Sequence, residues 1–408
     1  MSALAEISPR YPVKKGREYP FVEMAAVGEN FAGILSFATR KPEGSGLTRF
    51  KVGDTLFAKI TPCPQNGKVA FVQSLPAEMG LGSTEFIVLS PKAKAHPRFL
   101  YHLVCSHEVR GRAAARMEGS TGRQRVPDEV FARRLLVPIP PPDEQAAIAR
   151  TLDAVDTALV HTRVSIERAR ELDHALLHEL LERGLNATRN GKRKRPAHWP
   201  MRRVSEVAEV GSGVTLGKDV SGFKSIELPY LRVANVQDGH LNLSTIKTVR
   251  VRVTEVESFR LHAGDVLMTE GGDLDKLGRG TIWDGQIPDC LHQNHIFRVR
   301  TDRTALLPEF FALIVESDIA KRYFNRVAKR TTNLASTNKT QVRAFQFPVP
   351  PVPEQQQISD IMRAAKSKLT ALTRKQDALA ALKKSLMHDL LTGTVRVQSR
   401  KAAAILHA

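Results

Sequence analysis

Cysteine is scarce in this 408-residue chain: Cys63, Cys105 and Cys290 stand alone and far apart. No Cys-x-x-Cys pair occurs, so neither a disulfide frame nor a cysteine zinc site is indicated, and a reducing, cytoplasmic setting fits. No apolar run approaches the ~20 residues needed to span a bilayer. Met1 to Lys15 carries Glu6, Pro9 and Pro12 and no apolar core, unlike a secretory leader. Acids are the scarce charge, 42 against 61 Lys and Arg, leaving +19. That surplus favours a polyanion, nucleic acid first and an anionic membrane surface second.

Catalytic signatures are also missing. Ser212 to Asp219 resembles a phosphate-binding loop but lacks its first Gly and final Ser/Thr. The Asn/Asp-Pro-Pro-aromatic tetrapeptide of amino-methyltransferases is absent. His174 with His178, and His292 with His295, have no His-Glu-x-x-His context, so no metal site is expected. Asp54 and Asp265 recur in Gly-Asp blocks, where an aspartate leading a turn into a strand is the simplest reading. Lys59 follows the first block but Glu270 follows the second, so no nuclease-like set of acids and lysine repeats. No catalytic residue is expected.

What the chain does have is itself, twice. Val137-Pro-Ile-Pro-Pro-Pro-Asp-Glu-Gln145 matches Phe347-Pro-Val-Pro-Pro-Val-Pro-Glu-Gln355, and Leu176-Leu-His-Glu-Leu-Leu181 matches Leu386-Met-His-Asp-Leu-Leu391, both at a shift of about 210. Gly53-Asp-Thr-Leu-Phe57 and Gly264-Asp-Val-Leu-Met268, Asn66-Gly-Lys68 and Leu277-Gly-Arg279, Pro97-Arg-Phe99 and Pro308-Glu-Phe310, and Ser120-Thr121 and Ser336-Thr337 keep the same order.

Each half opens strand-rich. Val69–Val72, Glu85–Leu89, Pro229–Val233 and His295–Val299 are β-branched or aromatic runs between Gly, Pro, Asn and Asp. A short helix is expected after Pro97 and after Pro308. A long helix follows each proline cluster, over 143–183 and 353–391, with acids at its start and Gly184 or Gly393 past its end.

Two seven-residue series run through each long helix. Ile148, Val155, Thr162, Ala169, Leu176 and Leu152, Leu159, Ile166, Asp173, Leu180 recur as Ile358, Ala365, Leu372, Leu379, Leu386 and Met362, Leu369, Gln376, Lys383, Leu390. This is a coiled-coil seam, weakened at Thr162, Asp173, Gln376 and Lys383. The fold expected is α+β: two similar strand-rich globular domains joined by two long helices in an antiparallel coiled coil, with an internal pseudo-two-fold. Lys192-Arg-Lys-Arg195 marks a basic linker, either solvated or in contact with DNA phosphate.

On the paired Pro-Pro-Glu-Gln strings with their helices, the Gly-Asp blocks and the Trp199–Val210 opening, the sequence resembles the specificity subunit of a type I restriction–modification system. Trp199–Val207 has only a faint echo in the first half, at Tyr19–Val27. The resemblance implies a first target recognition domain at 1–136, a spacer helix at 137–185, a linker at 186–198, a second recognition domain at 199–346, a second spacer helix at 347–393 and a tail at 394–408. It implies that double-stranded DNA is read in two parts and that two modification (methyltransferase) subunits dock on the helices. A restriction/translocase subunit can join. S-adenosylmethionine, ATP and Mg belong to those partners, and the chain itself holds no cofactor and no membrane.

Polar and basic loop residues are the expected DNA contacts. They are Lys59, Gln65, Asn66, Lys68, Arg123, Gln124 and Arg125 in the first domain, and Lys276, Arg279, Lys329, Arg330, Asn338 and Lys339 in the second. Arg, Gln and Asn can pair with base edges, whereas Lys mostly meets phosphate. Two other classes remain open: a stand-alone DNA-modifying or DNA-cutting enzyme, and a helical scaffold that touches no DNA.

Overall fold

The computed structural model describes residues 1–14, 16–42, 46–120, 122–185, 196–272, 277–330 and 335–397. Lys192–Arg195 and most of the expected tail lie outside them. The chain divides into two compact units: Met1–Ser165 with the chain from Leu372, and Ile166–Ala371.

The first unit contains β1 (Ala5–Ile7), β2 (Tyr19–Val22), β3 (Ala38–Arg40), β4 (Thr48–Phe50), β5 (Thr55–Ala58), β6 (Val69–Phe71), β7 (Gly80–Gly82) and β8 (Phe86–Pro91). They form an antiparallel sheet β1-β8-β5-β6 and a sheet β3-β2-β7-β4, in which β2 and β7 are parallel. Helices α1 (Pro97–Cys105) and α2 (His107–Ala114) follow, and α3 (Pro142–Arg183) begins here. Phe57, Val69, Ile87 and Leu89 from the first sheet close on Phe99, Leu100 and Val104 of α1.

The second unit repeats the plan. It contains β9 (Met201–Arg203), α4 (Val204–Val207), β10 (Ala208–Ser212), β11 (Ser225–Leu231), β12 (Lys247–Arg252), α5 (Val256–Phe259), β13 (Val266–Thr269), β14 (Gly271–Gly272), β15 (Gly280–Ile282), β16 (Leu291–His292) and β17 (Ile296–Thr301). Then come α6 (Pro308–Glu316), α7 (Asp318–Val327), β18 (Lys329–Arg330), β19 (Ala335–Ser336), α8 (Lys339–Ala344), β20 (Gln346–Pro348) and the start of α9 (Val352–Thr392). Sheet β10-β17-β13-β15 has the order of β1-β8-β5-β6, and the parallel pair β11–β16 stands for β2–β7. Val266 faces Val299 as Thr55 faces Leu89.

The long helices occupy the expected spans and run antiparallel within each unit. In the first unit Ile148 and Leu152 of α3 share a core with Leu390 and Leu391 of α9. In the second, Leu177 and Leu180 of α3 share one with Ile358 and Met362. Along the stripes Ile148, Leu152, Val155, Ile166, Leu180, Ile358, Met362 and Leu390 are buried, while Leu159, Leu176, Leu369, Leu372, Leu379 and Leu386 are half-buried. Thr162 is buried as well, its hydroxyl donating back to the Ala158 carbonyl at 2.8 Å. A threonine can occupy the seam because the helix backbone satisfies its hydroxyl.

The repeated Glu-Gln dipeptide has a structural job in both copies. Gln145 Oε1 accepts His96 N at 2.9 Å, just ahead of α1, and Nε2 donates to Pro140 O and Lys94 O. Gln355 Oε1 accepts Leu307 N at 2.8 Å, just ahead of α6, and Nε2 donates to Pro350 O and Ala305 O. Each glutamine thus ties the start of its long helix to a globular layer about 50 residues earlier. The glutamates hold chain that follows the other long helix. Glu144 accepts Arg396 through both carboxylate oxygens, and Glu354 accepts His198 Nε2 at 2.7 Å and Trp199 Nε1 at 3.0 Å.

Two sequence alignments need correction. Tyr19–Val22 is β2, the equivalent of β11, and does not echo Trp199–Val207. The Met1 amino group donates to Leu135 O at 2.7 Å as Val204 N donates to Phe345 O at 3.0 Å, and β1 pairs with β8 as β10 pairs with β17. The true match is therefore Met1-Ser-Ala-Leu-Ala-Glu-Ile7 with Val204-Ser-Glu-Val-Ala-Glu-Val210. Nor does Ser120 stand where Ser336 stands: Arg125 bridges Ile60 as Ser336 pairs with Gly271.

Candidate nucleic-acid interface

In the first unit two loops distant in sequence meet beyond the end of β5. Ile60 bridges Arg125, and Arg125 bridges Glu118. Thr61 N donates to Gln124 O at 3.0 Å, Val126 N to Lys59 O at 3.0 Å, and Lys59 N to Glu85 O at 2.9 Å. This three-segment corner brings Lys59, Gln65, Asn66 and Lys68 together with Arg123, Gln124 and Arg125.

Their side chains fall into two groups. Arg125 grips Glu85 at 2.8 and 2.9 Å, Asn66 donates to Glu29 at 2.9 Å, Lys68 to Met24 O at 3.3 Å, and Lys59 lies 3.9 Å from Asp128. These four brace the corner. Arg123 and Gln65 are exposed; the Gln65 side chain donates to the Met117 sulfur at 3.7 Å while its backbone carbonyl accepts Arg110 at 3.4 Å, and Arg123 has no side-chain partner among the described residues. Beside Lys59 an open cleft of about 420 Å³ also presents Arg10 and Arg49. The sequence reading missed both: Arg10 lies in the Pro9–Pro12 opening and Arg49 in β4, each ahead of the Gly-Asp block from which the loop residues were taken.

The second unit builds the same corner from β14, β19 and β18: Gly271 pairs with Ser336, and Ser336 with Lys329. Glu270 N donates to His295 O at 2.9 Å and Thr337 N to Glu270 O at 2.7 Å, the equivalents of the Lys59 bonds. Gly271 is required, since a Cβ there would lie 2.7 Å from Ala335 O. Lys329 and Lys339 are exposed, and Arg330 donates to Asn325 O at 2.7 Å. Arg279 donates to Gln237 at 2.9 Å in a cleft beside Thr269 and Gly272. Asn338 caps α8 in a reciprocal box with Gln341, so its side chain already has a partner. Lys276 lies outside the described residues.

The two corners share a backbone and differ in chemistry. Lys59 is matched by Glu270, Glu118 by Lys329, Gln124 by Ala335 and Arg125 by Ser336. One frame thus presents two unlike sets of donors, acceptors and charges.

Elsewhere in the first unit His102, Asp153 and Asp156 converge, with His102 Nε2 at 2.7 Å from Asp153 Oδ1. Arg98 Nε also donates to Asp153, at 2.9 Å, and Lys383 sits 2.5 Å from Asp156. Burial works to raise the Asp153 pKa, but hydrogen bonds from His102 and Arg98 outweigh it and hold the carboxyl down to about 2. Burial lowers the His102 pKa, which keeps the ring neutral with Nε2–H donating. Two carboxylates balanced by two cations form a neutral junction between α1, α3 and α9, with no charge left to attract a further cation. His174 and His178 turn toward Asp318 and Glu182, and His292 and His295 toward Phe259 O and Glu270. Asp54 and Asp265 are buried turn aspartates, accepting Lys51 N and His262 N.

The sequence profile of the type I restriction modification DNA specificity domain matches residues 7–168 and again 196–380. The MjaX specificity subunit of Methanocaldococcus jannaschii, described as a putative type I restriction enzyme, is 25% identical over 201 residues, 48% of this chain and 46% of that protein. The EcoEI specificity subunit of Escherichia coli is 32% identical over 155 residues, 37% of this chain and 26% of its own length. The chain thus spans about half or less of these two relatives. The type I specificity subunit of M. genitalium has the same fold at 16% identity, with a TM-score of 0.56 over 96% of this chain and 94% of that one. Among the described residues no helix is long and apolar enough to cross a membrane.

Proposed function

The chain belongs to the family of type I restriction modification DNA specificity domains, and from that premise we propose that it reads a bipartite target in double-stranded DNA for a type I restriction–modification complex. The observation that carries this is the duplicated corner: the same three-segment frame, with Arg123 and Gln65 exposed on one copy and Lys329 and Lys339 on the other. A repeated frame with unlike side chains suits two half-sites of different sequence. The +19 charge supplies the phosphate attraction.

The chain contributes recognition and no chemistry. Methyl transfer from S-adenosylmethionine belongs to two modification subunits docked on α3 and α9, whose outer faces expose Val160, Val164, Leu172 and Leu382. ATP- and Mg-dependent cleavage belongs to a restriction/translocase subunit.

The test is duplex binding with either half-site scrambled. Arg123→Ala should weaken binding only through the half-site read by the first unit, and Lys329→Ala only through the other. Affinity for the intact site should fall steeply with salt. Equal loss on unrelated duplexes would make both residues phosphate contacts, and salt-independent binding would refute the reading. Methylation mapped in the source genome should show a split, asymmetric motif.

A further inference from the structure

The seam between α3 and α9 carries charges whose placement the repeat makes informative. In the first unit Lys383 Nζ lies 2.5 Å from Asp156 Oδ1, both side chains three-quarters or more covered. In the second, half-buried Asp173 feels the Lys366 charge without an ion pair, its Oδ1 buried with no hydrogen-bond partner among the described residues, while Lys366 ion-pairs with Glu316 at the end of α6. A shift of about 210 residues carries Asp156 onto Lys366 and Asp173 onto Lys383. The repeat therefore lays each pair on the other with its signs exchanged: both acids belong to α3 and both lysines to α9.

Part of the rest of the seam is common to the two helices and part is not: Thr162 answers to Leu372, Ala169 to Leu379 and Ile166 to Gln376, whereas four apolar positions agree. Ile148 matches Ile358, Leu159 matches Leu369, Leu176 matches Leu386 and Leu180 matches Leu390. These shared apolar positions would let α3 pair antiparallel with another α3. In such a pair each Asp156 would meet Asp173 of the other copy, and in a pair of α9 helices each Lys366 would meet Lys383. Like charges at covered positions repel and lose hydration without a compensating partner.

We propose that these covered charges, anchored by the Asp156–Lys383 ion pair, make the seam heterotypic: α3 accepts α9 and rejects a second α3, and α9 rejects a second α9. The partner that fits the first half of this chain is therefore a second half, its own or another copy's.

Full-length charge variants test this. Lys366→Asp with Lys383→Asp sets acid against acid, and Asp156→Lys with Asp173→Lys sets lysine against lysine. Each double variant should lower the folding constant about a hundredfold or more, in line with the several kcal/mol that like charges cost at a contact. The quadruple variant should be at least about tenfold more stable than either double, short of the parent because Lys366→Asp sets a second acid against Glu316. A quadruple variant no more stable than the doubles overturns the proposal.

A second measurement reads partner choice directly. The whole chain is produced cut once inside 186–195, with two tagged forms of its first segment in the same cells. Each tag should recover the second segment but not the other first segment. Adding Asp156→Lys and Asp173→Lys to one form should make the two first segments copurify. Recovery of unaltered first segments with one another as readily as with the second segment also refutes the proposal.

Discussion

Gln355→Met tests whether the repeated glutamine fastens the long helix to the globular layer. Gln355 is wholly buried and makes three hydrogen bonds of 2.7–2.9 Å. Methionine keeps most of the volume and removes all three. One amide, Leu307 N, and two carbonyls, Ala305 O and Pro350 O, then lack a partner. A stranded buried donor costs about 1–3 kcal/mol, and a carbonyl is cheaper because its second lone pair is easier to satisfy. The expected loss is about 3–4 kcal/mol, read from hydrogen-exchange protection in β10, β13 and β17, which reports the second unit without assuming one global transition. Gln356→Met, one residue along and exposed, should cost under about 0.5 kcal/mol. Gln355→Glu adds a sign test. It keeps the acceptor for Leu307 N but turns a carboxylate toward two carbonyls, raising its folded-state pKa. Its deficit should therefore shrink as pH falls toward 4. A loss below about 1 kcal/mol in Gln355→Met, or an equal loss in Gln356→Met, refutes the fastening argument.

Asp153 is held down to about 2, so its contribution is in force above about pH 4 and disappears as pH falls from there through 2. The stability gap between parent and Asp153→Asn in urea titrations should close over that interval and stay constant above it. His292 is buried and pushed down to about 4, chiefly by burial. Its neutral form supports the fold above about pH 6.5, and about 3 kcal/mol is lost as pH falls through 4. Gln in its place should flatten the stability profile between those values. Trp199→Phe removes the indole bond to the Glu354 carboxylate and should cost about 1.5–2 kcal/mol in denaturant titration. Arg396→Ala should leave the denaturation midpoint little changed, because that guanidinium is two-thirds exposed.

The heptad stripes were legible because their period depends on nothing beyond the helix, and each of their positions is buried or half-buried. The Pro-Pro-Glu-Gln strings were legible as repeats, but the work of Glu144 and Gln145 was not, since their partners Arg396 and His96 lie about 250 and 50 residues away. The first unit's opening was hidden for a related reason. Met1-Ser-Ala-Leu-Ala-Glu-Ile7 aligns with Val204–Val210 at a shift of about 203, while the strong blocks repeat at about 210. At the two corners, residue types and loops were legible. The sorting of Arg125, Asn66 and Asn338 into bracing or capping roles, and of Arg123 and Lys329 into exposed ones, depends on Glu85, Glu29 and Gln341, which no local pattern marks.

One of the two units is continuous in sequence and the other is not. During synthesis Ile166–Ala371 can finish folding as soon as it leaves the ribosome. The earlier part must wait for Leu390 and Leu391 to cover Ile148 and Leu152. The delay spans about 200 residues, on the order of 10–40 s at 5–20 residues per second. Throughout it a greasy flank of the nascent polypeptide stays open to chaperones and to neighbouring ribosomes' products. Chaperone supply during that interval then bears on how much of the newborn chain escapes aggregation.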